Sequence, residues 1–117
     1  MQRSQCQQFA AALSGLAPDN IPTEAMHGAK RALLDALGSA LAGVGTVEVE
    51  ATIRAARAGR GSGPITVWGT PLGLSAPHAA LVNGTAVHAR EVDDFGGCGH
   101  SGAVVMPPAL AAAELHD

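Results

Sequence analysis

Between His88 and His100 the chain reads HAREVDDFGGCGH. Two imidazoles, three carboxylates and one thiol fall within thirteen residues, with three glycines among them. These residue types support three kinds of behaviour. A half-buried carboxylate beside an imidazole can be tuned towards proton transfer near neutral pH. Imidazole, thiolate and carboxylate groups together can ligate a metal. The same residues also make an ordinary polar helix end followed by a turn, which is the simplest reading of the spacing alone.

Helical geometry separates the three acids. If the helix that begins near His78 runs on to about Phe95, then His88, Glu91 and Phe95 share a sector roughly 60° wide. That sector borders an apolar stripe of Leu81, Thr85 and Val92. Asp93 and Asp94 point elsewhere, about 100° apart, and as anions near a helix C-terminus they oppose its dipole. They are expected to be solvated, paired with a cation, or turned out of the helix. Glu91 is then the acid placed next to a histidine. Cys98, His100, His88 and the two aspartates offer enough donors for a metal, but neither CxxC nor HExxH spacing occurs, and no metal is expected.

The elements that must carry this stretch are legible from periodicity and punctuation. Residues 4–17 predict a first helix with Phe9, Leu13 and Leu16 on one side, broken by Pro18-Asp19-Asn20. Thr23 is placed as the N-cap of a second helix, and Glu24 suits its positive first turn. Met26, Leu33, Leu37, Leu41 and Val44 form its apolar face. Gly38 and Ala42, small and one turn apart, invite a close neighbouring helix, and Gly43 and Gly45 end the run. A third helix over 46–58 buries Val49, Ile53 and Ala56, with Glu50 placed to pair with Arg54. The loop Gly59–Pro64 lacks the spacing of a phosphate-binding loop. Ile65–Trp68 is the single strand-like run. Ser75 caps a fourth helix with Pro77 in its first turn, which Gly96, Gly97 and Gly99 stop. A fifth helix starts around Pro107, whose missing N–H costs nothing at a helix start. Five helices without a repeat predict an all-α helical bundle.

Composition narrows the class. The chain has 117 residues, enough for one domain with a core. Only 15% are charged against 47% hydrophobic, so part of the apolar surface is expected to need another chain or domain, and a homo-oligomer is expected. Seven basic against ten acidic residues, a net charge of −3, make no basic face for nucleic acid. Arg54, Arg57 and Arg60, the one cluster, sit near a helix end where cations suit the dipole. No apolar run reaches the ~18 residues of a membrane span, and the N-terminus lacks the core of a signal peptide. With two widely separated cysteines, a reducing, cytoplasmic location is expected. Asn83-Gly84-Thr85 matches a glycosylation sequon inside a helical pattern and is read as coincidence.

The order of residues adds a resemblance. Asn83-Gly84-x-Ala86-x-His88 leads into Glu91-x-Asp93-Asp94, and His100-Ser101-Gly102 follows the glycines ahead of an Ala-rich helix. With Ile21-Pro22, Lys30 and the run Leu33-Leu34-Asp35-x-Leu37-Gly38, this resembles the MmgE/PrpD family over nearly the whole chain. Its pattern is approximately N-G-x-A-x-H-x-x-D-x-D-D-T, a short loop, then H-P-S. The resemblance implies the N-terminal part of that family's helical domain, with residues 1–117 lacking the α/β domain that covers the pocket. It implies a lyase or isomerase, 2-methylcitrate dehydratase among the models. Such enzymes move a proton next to a carboxylate on a small di- or tricarboxylic acid without a cofactor.

Carried over by position, the resemblance implies that Glu91 and His100 are the proton-transfer groups. It implies that His88, Asp93, Asp94 and Phe95 shape or line the site. The chain departs in four places. Glu91 replaces an aspartate, Phe95 replaces a threonine, the proline after the loop histidine is missing, and the loop is one residue shorter than in the family's decarboxylases. The sequence offers few cations for polycarboxylate binding, Lys30 and Arg90 being the nearest candidates. The piece alone is therefore expected to be inactive. A non-catalytic helical interaction module derived from the same family is the alternative.

Overall fold

The computed structural model describes residues 3–96 and 99–116. Cys98, a thiol donor weighed above, lies outside them. The chain divides into two compact units, Met1–Lys30 and Arg31–Asp117. In the first, helix α1 (Gln5–Ser14) opens on a capping box: Ser4 Oγ accepts from the Gln7 backbone N–H at 3.3 Å, and Gln7 Oε1 accepts from the Ser4 N–H at 3.0 Å. It stops at Gly15, short of the expected Ala17, and buries none of its residues. A 3₁₀ turn, Pro18–Asn20, follows.

Helix α2 (Thr23–Gly43) begins in the first unit and continues into the second. Thr23 is its first helical residue rather than its N-cap. In the second unit the buried residues of α2 are Ala36, Ser39, Ala40 and Gly43. The face expected from the sequence holds in part: Leu33, Leu37 and Val44 are half-buried, with Leu37 against the core, but Leu41 is exposed and the small residues lie innermost. The reason is backbone proximity. A Cβ on Gly43 would lie 2.0 Å from the Ala86 carbonyl oxygen, whereas one on Gly38 meets nothing within 4 Å. Close approach therefore occurs at Gly43 and not at the Gly38/Ala42 pair.

Helix α3 (Val47–Ala58) buries Val49, Ile53 and Ala56, as the periodicity predicts. No ion pair joins Glu50 to Arg54, so that expected pair is absent. The expected strand is displaced: β1 (Ser62–Thr66) pairs antiparallel with the two-residue β2 (Gly73–Leu74), with a bulge between Ser62 and Ile65. Val67 and Trp68 are buried in the turn that joins them. Ile65, Val67, Trp68 and Leu74 form one core with Val49, Ile53, Val82 and Val87. Among the described residues the fold is mostly helical, with a small two-stranded sheet added to the expected all-α bundle.

Asn83 ties that sheet to helix α4 (Ala76–His88). Its Oδ1 accepts from the Trp68 N–H at 2.9 Å, and its Nδ2 donates to the Thr66 carbonyl at 3.0 Å. At 2% exposed, it is a core residue, inaccessible as a glycan acceptor. Asn83→Ala strands a buried backbone donor, so an expected loss of about 2 kcal/mol follows. Urea unfolding of the variant against the wild type checks this, through a lower midpoint at unchanged slope.

The largest correction concerns the end of α4. The helix stops at His88 rather than continuing to Phe95. Glu91 sits at φ +51, a left-handed conformation that reverses the chain, with its N–H on the His88 carbonyl at 2.9 Å. Arg90 Nε donates to the Ala42 carbonyl at the end of α2, at 3.3 Å, where a cation suits the helix dipole. Helix α5 (Ser101–His116) likewise begins earlier than Pro107, so Pro107 and Pro108 lie inside it. Asp94 supplies its cap: Oδ1 accepts from the Gly102 N–H at 3.2 Å, while the Asp94 N–H donates to Asp35 Oδ2 at 2.9 Å. Pro107 leaves the Ala103 carbonyl without its intrahelical donor. That carbonyl faces Gly84 of α4, where a Cβ would come within 2.7 Å of it.

Candidate active site

The turn after His88 carries Asp93 into the interior. Its side chain is 0% exposed and meets two histidines. His88 Nδ1 lies 3.3 Å from Asp93 Oδ1, and His100 Nδ1 lies 3.2 Å from Asp93 Oδ2. The imidazoles touch edge to face, with centroids 4.1 Å apart. One ring comes from the last residue of α4 and the other from the residue before α5. The α4–α5 packing at Gly84 therefore helps to set their separation.

Both histidines line a cavity of about 840 Å³ between α4, α5 and the start of α3, together with Glu91 and Glu48. Its apolar walls include Leu81, Val104 and Pro108. Among the described lining residues there is no lysine or arginine. Arg90, the basic residue of the motif, donates to the Ala42 carbonyl of α2.

Each site residue expected from the sequence can now be placed. His88 and His100 are brought together. Glu91 reaches the same cavity from the turn, but it is exposed and no hydrogen bond joins it to either ring. Its expected neighbourhood on a continuous helix face with His88 and Phe95 is overturned, because the helix ends first. Asp93, placed by spacing away from the histidines, is the acid that contacts them. Asp94 shapes the loop as the α5 cap. Phe95 is 79% exposed and rests edge-on against His100, with centroids 5.3 Å apart. Glu48 escaped the sequence reading, because an acid in the first turn of a helix ordinarily signals only the dipole.

His88, Asp93 and His100 also present three donor atoms within 4.8 Å of one another. Ligation of a divalent ion through Nδ1 would cost each ring its hydrogen bond to Asp93. As it stands, the arrangement orients two imidazoles at the edge of a mainly apolar cavity. Groups so placed can accept or deliver a proton on a bound molecule.

Comparison with known proteins agrees with the motif order. The MmgE/PrpD N-terminal domain model matches residues 7–117. The cis-aconitate decarboxylases of Homo sapiens and Mus musculus are each 31% identical over 116 residues, covering 97% of this chain and 24% of theirs. That of Aspergillus terreus is 31% identical over 104 residues, covering 87% of this chain and 21% of its own. The chain thus spans about a quarter of the length of these relatives. No solved structure matches it significantly. With residues 7–117 of this chain matched by that domain, the chain belongs to the MmgE/PrpD family.

Proposed function

We propose that the whole protein is a lyase or epimerase that moves a proton at carbon next to a carboxylate, on a small di- or tricarboxylic acid. The observation that carries this reading is the imidazole pair at the cavity edge, held by one buried carboxylate. His100 and Glu91 serve as proton-transfer groups and His88 orients the site. The relatives named as cis-aconitate decarboxylases favour loss of carbon dioxide followed by protonation of the carbon left behind. A dehydratase of the 2-methylcitrate type would use the same groups to remove a proton instead. The cavity lining carries Glu48 and Glu91 and, among the described residues, no lysine or arginine. Cations for the substrate carboxylates must then come from elsewhere in the whole protein.

The test is proton exchange. The whole protein, incubated in D₂O with cis-aconitate, citrate, 2-methylcitrate and similar acids, is expected to place deuterium on the carbon beside a carboxylate of at least one. NMR of the recovered acids reads this out. Absence of exchange and of turnover with every acid would refute the enzyme reading in favour of the interaction module.

A further inference from the structure

We infer that Asp93 is a positioning residue that holds a proton on Nδ1 of both His88 and His100, leaving the two Nε2 lone pairs as the free nitrogens at the cavity. The catalytic consequence rests on the proton-transfer reading above; the structural claim does not.

An ionised carboxylate accepts hydrogen bonds and donates none. Each Asp93 oxygen has one imidazole Nδ1 as its side-chain partner. Both Nδ1 atoms must therefore carry the hydrogen. A neutral imidazole has a single N–H, so Nε2 of each ring is left as an acceptor. Free histidine in water favours the opposite tautomer, with the hydrogen on Nε2. The buried carboxylate reverses that preference twice over. The fully buried Asp93 is fixed by the backbone around it: the reversal at Glu91 delivers it, and the bonds of Asp94 to Asp35 and Gly102 hold the following residue. The histidines are partly open to the cavity, with side chains 43% and 32% exposed. A bound acid can reach the outer nitrogens while the inner ones remain occupied. In their neutral form two identical side chains thereby become two acceptors set side by side, and either delivers a proton from Nε2 only after taking one up there as an imidazolium.

Long-range ¹H–¹⁵N correlation of the histidine rings tests this directly in the wild-type protein, at about pH 8.5, where model imidazoles are neutral. His88→Gln and His100→Gln assign the two signals. Both rings are expected as the Nδ1–H tautomer, and Nε2–H signals from both would overturn the inference. Asp93→Asn supplies the sharper test, because a carboxamide has one accepting oxygen and one donating nitrogen. One ring is expected to keep Nδ1–H and the other to switch to Nε2–H, with unchanged far-UV circular dichroism. Both rings keeping Nδ1–H in a folded Asp93→Asn protein would also overturn it. So would stoichiometric zinc in protein purified without chelator, with ring ¹⁵N shifts showing metal on Nδ1.

In the whole protein, Asp93→Asn is expected to lower kcat at least about 100-fold with KM changed only a few-fold, as loss of a tautomer-setting carboxylate does in other imidazole bases. Two Nδ1–H rings in a protein that exchanges no acid would uphold the inference and sink the proposed function. Active protein with two Nε2–H rings would do the reverse.

Discussion

His100→Ala in the whole protein is expected to lower turnover about 10²–10⁴-fold, the range for loss of a positioned acid or base. That corresponds to roughly 3–5 kcal/mol of barrier. The expected cost in stability is smaller. The ring is a third exposed, so little core packing is lost, and the cavity beside it admits water to the vacated Asp93 oxygen. His88 still holds the other oxygen. About 1–2 kcal/mol is the expected price for the lost hydrogen bond. Steady-state kinetics and a thermal melt on the same preparation separate the two effects. Turnover within a few-fold of the wild type would remove His100 from the proton-transfer groups. A collapsed melt would make it a structural residue.

The second large effect is on folding. Gly43→Ala places a methyl group 2.0 Å from the Ala86 carbonyl oxygen. No rotamer relieves this clash, because both partners are backbone or Cβ. Helices α2 and α4 must separate where they touch, and overpacking of this kind costs about 1–3 kcal/mol, or more where nothing yields. An expected loss of about 3 kcal/mol lowers the melting temperature by roughly 10 °C for a domain of this size. Gly38→Ala, in the same helix but with nothing within 4 Å, is the matched control. It is expected to gain about 0.5–1 kcal/mol from helix propensity and a less flexible unfolded chain. Equal melting temperatures for the two variants would show that α2 and α4 do not meet closely at Gly43.

The pair of glycines also shows where sequence reasoning reached its limit on the fold. Both look alike in the chain: small residues in one helix, one turn or so apart from other small residues. Leucine spacing pointed α2 one way, but the approach of the α4 backbone selected Ala36, Ser39, Ala40 and Gly43 as the inner face. In α3 no such competition arises, and the periodicity of Val49, Ile53 and Ala56 was sufficient. The prolines of α5 misled for a related reason. Pro107 is a good first residue of a helix, yet Asp94 caps the chain a turn and a half earlier, and the unpaired Ala103 carbonyl faces Gly84.

At the site, residue order was more informative than residue spacing. The acids, the glycines and the loop histidine, in that order after His88, pointed to the family. The oddity of two aspartates at a helix C-terminus was also legible, and one of the outcomes it allowed, leaving the helix, is what occurs. Five helical segments and the cluster of acids and imidazoles were legible from the residues, but the end of α4 and the start of α5 were not. Which carboxylate meets the imidazoles was settled by contacts distant in the chain. A single left-handed residue, Glu91, turns the chain out of the helix; from there Asp94 is held by Asp35 and Gly102, and Asp93 is directed inward onto the rings of His88 and His100. Local periodicity carries no record of those long-range partners, and their combined hydrogen bonds outweigh the local preference to continue the helix.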